Sequence, residues 1–289
     1  RRYCKMFHGV SSFWRRQTAF LNVLQSGAYA NSPIFHQPCD TTPLPLERIM
    51  LFISGFELVR FSVISSLMRI LYHLWLSPAC RKVRVALLEK KIEFEMRVEN
   101  IWERRQKFLA MNPAGEVPVL VEPNGATLSG SNVICEFLDE VHPEPPLIGG
   151  NPLERAEVRR LVAWFDEKFN HEVTVNLVGE KIMKRFLGLG EPDSRTIRAG
   201  HANIRHHLDY VAYLTERRRW LAGDRLTLAD ITAAAHFSAV DYLGDIPWKE
   251  HEQVKDWYAR IKSRPSFRSI LADHIPGATP AKHYADLDF

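Results

Sequence analysis

Between residues 70 and 142 the apolar positions change period several times, and each change marks a new element. Ile70–Trp75 is a short apolar run, read as a strand. Ser77-Pro78 then opens a stretch in which Cys80, Val83, Val85, Ala86, Leu87 and Leu88 fall at helical spacing. Ser77 stands where a cap belongs, and Pro78 at the first helical position, where its missing N–H costs nothing. Ile92–Val98 alternates as a second strand, and Trp102–Phe108 is a charged connection with a helical turn. Asn112–Glu122 reads N-P-A-G-E-V-P-V-L-V-E, a turn leading into a buried strand. Pro118 must mark an edge or the first residue of that strand, because proline cannot donate to a sheet ladder. A cis Val117–Pro118 bond suits the turn, and would leave the Val117 N–H and C=O free for an extended ligand. The plainer alternative is a tight turn into the strand with no ligand. Asn124-Gly125 is a hairpin turn, Ala126–Leu128 a short strand, and Ser131 the expected cap of a helix carrying Val133, Ile134, Phe137, Leu138 and Val141.

Pro143–Pro152 is rich in proline and glycine and reads as a domain boundary. Beyond it the period is helical. Val158, Leu161, Val162, Phe165 and Phe169 form one stripe, and Ile204, Leu208, Val211 and Leu214 another, with a loop over Gly188–Gly200. Thr227 and Asp230 have the spacing of a capping box ahead of the apolar helix Ile231–Val240. The expected division is an extension over 1–67, an α/β domain over 68–142, a linker over 143–152, a helical domain over 153–275 and a tail over 276–289.

Residues 1–67 keep no sustained period, apart from a loose amphipathic stretch over 48–66. Seven Arg/Lys against three acids in this segment account for the whole net charge of +4. The remainder is formally neutral, which argues against a nucleic-acid surface. The extension reads as a targeting peptide, a mitochondrial presequence, or sequence upstream of a natural start at Met68, the last being preferred. No apolar run is long enough to span a bilayer. Cys4, Cys39, Cys80 and Cys135 show no paired metal spacing and read as free thiols in a reducing, cytoplasmic compartment.

The order β-α-β-(α)-β-β-α with Val117-Pro118 resembles a thioredoxin-like domain, and specifically the N-terminal domain of the cytosolic glutathione transferases. Trp220–Asp230 and Trp257–Phe267 resemble the C-terminal signature of the same family. The resemblance implies a glutathione-transferase fold: a thioredoxin-like domain with a mixed four-stranded sheet, followed by a C-terminal helical bundle. The family reaction places a thiolate-stabilising donor at the N-terminus of the first helix. Ser77 and Cys80 occupy that region, and the helix dipole with Arg81, Lys82 and Arg84 is expected to lower the Cys80 thiol pKa. Alternatively, Ser77 only caps and Cys80 only packs. The resemblance further implies a glutathione site at Val117, Pro118, Gly130 and Ser131. An acidic or amide residue usually precedes that serine. Gly130 stands there instead, so the site reads as vestigial, with glutathione at most a substrate, and no cofactor or metal.

Two features suit binding better than catalysis. Trp102, set beside Arg104 and Arg105, reads as an exposed interface anchor, the alternative being that it folds onto the body and lines a pocket. The tail alternates Tyr284, Asp286, Leu287, Asp288 and Phe289, and its removal is expected to leave the fold intact, the alternative being that Phe289 docks back on the domain. Met68–His73, Trp102–Arg105, Glu157–Asp166, Asp256–Phe267 and His283–Phe289 together resemble the FtsZ-binding glutathione-transferase homologues of alphaproteobacteria. That resemblance implies a homodimeric, non-catalytic division protein in the cytoplasm that binds FtsZ filaments and promotes their curvature, bundling and constriction, without nucleic acid or membrane. The alternative is a glutathione S-transferase using Ser77 or Cys80.

Overall fold

A computed structural model describes residues 68–287. The readings for 1–67, Asp288 and Phe289 lie outside the described residues. The sheet assembles on β1 (Arg69–His73), which pairs in parallel with β2 (Phe94–Val98) and antiparallel with β3 (Val119–Val121). β4 (Thr127–Ser129) closes the order β2-β1-β3-β4 through a hairpin with β3. β1 ends two residues earlier than its apolar run suggests, and β2 begins later than Ile92.

α1 (Pro78–Glu89) starts as the sequence requires: Ser77 is extended, its hydroxyl accepts from the Cys80 amide at 3.4 Å, and Pro78 opens the first turn. The charged connection is more ordered than expected. A 3-10 turn (Ile101–Glu103) is followed by a full helix, α2 (Gln106–Met111), which buries Phe108. α3 (Ser131–Val141) is capped by Gly130 rather than Ser131, which is its first helical residue. Gly130 has φ +87°, in the left-handed region where a side chain is strained.

The helical half begins with α4 (Pro152–Ala163), which runs on as a π-helical segment over Trp164–Met183 and then into the turn Lys184–Phe186. α5 (Ser194–Thr215) starts inside the stretch read as a loop, because the Asp193 carboxylate accepts from the amides of Arg195 and Thr196 and caps it. α6 (Leu228–Tyr242) is buried along its entire length. Its capping box is present: the amide and hydroxyl of Thr227 both donate to Asp230, each at 3.0 Å. Asp230 also accepts from the Leu221 amide at 2.8 Å and the Trp257 indole at 3.1 Å. α7 (Glu252–Lys262) and α8 (Pro265–Leu271) complete the bundle. α1 is gripped between α3 of its own half and α6 of the other. The apolar core runs through both halves without a break.

His73, at the end of β1, has no solvent exposure and lies edge-on to Trp75, ring centroids 4.5 Å apart. Burial, then the Arg84 charge, lowers its pKa from 6.5 to about 4. Between those values the unfolded chain binds the proton and the folded chain does not, so stability falls as pH drops through that window. Denaturant midpoints from pH 7 to 4 should show wild type losing on the order of 2 kcal/mol more than His73→Gln.

Candidate functional site

Two joined chambers lie between the sheet half and the helical half. The polar one, of about 530 Å³, is lined by Ser77, Val117, Pro118, Gly130, Ser131 and Asn132 on the sheet side and by Asp166, Asn170 and His236 on the helical side. The apolar one, of about 470 Å³, is lined by Trp75, Val98, Ile101 and Trp102 facing Val175, Val178, Ile182, Met183 and Phe186. Ser77, Pro78, Glu116, Val117 and Asn170 border both.

The Val117–Pro118 bond is cis. Pro118 precedes β3, and its carbonyl accepts from the Gly130 amide at 3.3 Å, which ties the turn to the start of α3. Among the described residues nothing pairs with the N–H or C=O of Val117. Chain-distant residues Val117, Pro118, Gly130 and Ser131 thus share one wall with Ser77.

The wall opposite carries a network that the sequence did not disclose. The Lys82 ammonium donates to Asp166 at 2.5 Å and to Asn132 at 2.7 Å. Asp166 also meets the His236 ring at 3.4 Å, and the far nitrogen of that ring meets the Thr174 hydroxyl at 2.9 Å. Burial works against the Asp166 charge, but His236 and Lys82 outweigh it and bring its pKa down to about 2. Burial lowers the His236 pKa, with Asp166 opposing. The network bolts α1 and α3 to the helical half at the floor of the cleft.

Cys80 does not behave as the sequence suggested. It is fully buried, and burial pushes its thiol up to about 11 despite the Ser77 hydroxyl, the Leu74 amide and Arg84. The expected lowering fails because Arg81, Lys82 and Arg84 are themselves buried and committed elsewhere. Cys135 is likewise buried and raised to about 12. Neither thiol is available as a thiolate near neutral pH. Ser77 keeps its half-buried place on both chambers.

Trp102 lines a pocket, as the second of its readings has it, while part of its side chain stays exposed. It folds onto the body and stacks on Phe186, ring centroids 5.7 Å apart and planes 9° off parallel. It is half-buried and closes one side of the apolar chamber. Arg105 pairs with the buried Glu99, and Arg104 is exposed at φ +46°. The tail is corrected too. Tyr284 has no exposure, packs edge-on to Tyr242 and donates to the Ile270 carbonyl at 3.3 Å. Its ring cannot be offered to a partner. Leu287 packs against the core, and Asp286 is exposed.

Comparison with known proteins bears on this geometry. Residues 71–146 match the glutathione S-transferase N-terminal domain, and residues 186–265 the C-terminal domain. The chain belongs to the glutathione S-transferase family. It is 49% identical over 228 residues to FtsZ-localized protein A of Caulobacter vibrioides, covering 78% of this chain and 100% of that protein. The crystal structure of a glutathione S-transferase from Rhodospirillum rubrum F11 is similar, with TM-score 0.76 and 61% identity over 77% of this chain and 100% of that one. FzlA from C. crescentus has TM-score 0.75 and 48% identity over the same shares. The resemblance read from the sequence holds both for the transferase family and for its FtsZ-localized branch. No helix among the described residues is long and apolar enough to cross a membrane.

Proposed function

We propose that this chain is a homodimeric, non-catalytic cell-division protein that binds FtsZ filaments at the division site in the cytoplasm and promotes their curvature, bundling and constriction. The carrying observation is the 49% identity to FtsZ-localized protein A across that protein's whole length. The chemistry of the cleft supports the same reading. Cys80 and Cys135 are buried and raised, Gly130 offers no side chain to an ammonium group, and among the described residues no Lys or Arg lines either chamber. The homodimer draws support from α3, which presents Val133 and Val141 to solvent at 56% and 51% exposure, ready to be covered by a second copy. A two-fold dimer presents each contact twice, so weak single contacts strengthen through effective concentration.

The partner contact is drawn at Trp102 with Arg104 and Arg105, and at the outer part of the tail. The stack places Trp102 on Phe186, so the sheet half and the helical half offer one aromatic surface. Co-sedimentation with FtsZ filaments tests this: wild type pellets with them, and Trp102→Ala pellets at least tenfold less with unchanged circular dichroism. Wild-type pelleting by the variant would place the contact elsewhere.

The second reading, a glutathione S-transferase, is favoured by the Ser77 hydroxyl on the cleft and by the 61% identity to the Rhodospirillum rubrum structure. A glutathione-affinity column and a generic electrophile assay decide it. Retention is expected to be weak or absent, and conjugation to run near the uncatalysed rate and stay unchanged in Ser77→Ala. Micromolar binding with turnover lost in Ser77→Ala would make the chain a transferase.

A further inference from the structure

Glu116 borders both chambers, is exposed, and its carboxylate forms no ion pair or hydrogen bond among the described residues. The remaining charged side chain on the walls is Asp166, backed by Lys82 but turned toward the polar chamber, and His236 beside it is buried. Among the described residues no Lys or Arg lines either chamber, and both Asp166 oxygens are engaged by Lys82 and His236, so the unpaired charge of the cleft is that of Glu116, with an apolar extension beside it. Beside Glu116 the N–H and C=O of Val117 stand unpaired, the arrangement that takes the backbone of an extended segment. In the apolar chamber that Glu116 and Val117 also border, the Trp102–Phe186 stack and Ile182 form an apolar wall.

We propose that the two chambers take a lysine or arginine side chain, flanked by an aliphatic or aromatic one, from an extended segment of the protein partner. The inference rests on the reading of the chain as a partner-binding scaffold and deepens it by naming what the partner inserts. The cation sits against Glu116, on the side of Asp166, while its apolar neighbour fills the chamber behind Trp102. A ligand bearing carboxylates meets the unpaired Glu116 with no Lys or Arg on the described walls to answer it, so the cleft discriminates against it. Glu116 is exposed, so salt screens the pair it forms with the cation, and the apolar neighbour in the chamber adds the burial that an exposed pair lacks.

Two blocked tripeptides probe the cleft of the full chain: Ac-Leu-Lys-Leu-NH2 and Ac-Leu-Gln-Leu-NH2, followed by calorimetry and by the NMR signal of the Trp102 indole. The lysine peptide should bind about tenfold more tightly than its glutamine twin, shift the Trp102 signal, and lose that advantage at high salt and in Glu116→Gln. Equal binding of the two peptides, or an advantage that survives Glu116→Gln, overturns the proposal. Glu116 is exposed, so its substitution leaves folding intact. FtsZ co-sedimentation of the same variant supplies the second arm. Weakened pelleting supports the insertion, and undiminished pelleting overturns it. If wild type itself does not pellet with filaments, the scaffold reading falls, while the peptide pair still decides the charge preference of the cleft.

Discussion

Asp273→Ala is expected to destabilise the fold by about 3–5 kcal/mol, because it strips the counter-charge from two guanidinium groups that have no access to water. Arg84 grips Asp273 through both carboxylate oxygens, at 2.6 and 2.9 Å, and Arg81 reaches it at 3.4 Å. All three are buried. Arg81 also donates to the Trp75 carbonyl and the Ser238 hydroxyl, each at 2.8 Å, and Arg84 lies over the Trp75 ring. One cluster therefore joins α1, the end of β1, α6 and the segment after α8. A buried charge left without its partner costs more than the pair contributes, since desolvation has already been suffered. Chemical denaturation should show a lower midpoint with an unchanged slope. A loss under 1 kcal/mol would mean that water or another acid reaches the two arginines.

Tyr284→Ala is expected to cost about 3–5 kcal/mol, the range for removing a fully buried aromatic ring. Deletion of residues 283–289 should cost at least as much. The ring fills a site between Tyr242 and the Ile270 carbonyl, with the Arg81 guanidinium 6.0 Å from its centroid. Its neighbour His283 meets Asp241 at 2.8 Å. This reverses the reading of the tail as a dispensable appendage. Thermal melts of Tyr284→Ala and Tyr284→Phe separate packing from the hydroxyl bond: phenylalanine keeps the ring and should lose about 1 kcal/mol. If alanine melts with wild type, the tail is not part of the core.

Much of the fold was legible in the sequence because its signals are local. Ser77-Pro78 starts α1 through groups within one turn, and Thr227 with Asp230 starts α6 in the same way. The stripes at Val158–Phe169 and Ile204–Leu214 are buried where their spacing puts them. Val117-Pro118, Gly130 and Ser131 mark the cleft because the turn and the start of α3 must meet at the end of β1. The extent of helix α2, read only as a helical turn, and the early start of α5 escaped because short helices carry too few periodic positions, and an aspartate cap among charges looks like any loop.

What tertiary structure alone decided is how each face is covered. Periodicity says that Arg81, Lys82 and Arg84 lie opposite Val83 and Leu87 on α1, a face that would ordinarily be solvated. Here α6 and the segment after α8 close over it, so the charges turn inward onto Ser238, Asp166 and Asp273. The same closure makes Cys80 a raised, inert thiol instead of a lowered, reactive one. It buries Tyr284, stacks Trp102 on Phe186 and leaves Glu116 unpaired between two chambers. Partners separated by dozens to nearly two hundred residues leave no mark on local spacing, yet burial and electrostatics are set by those partners.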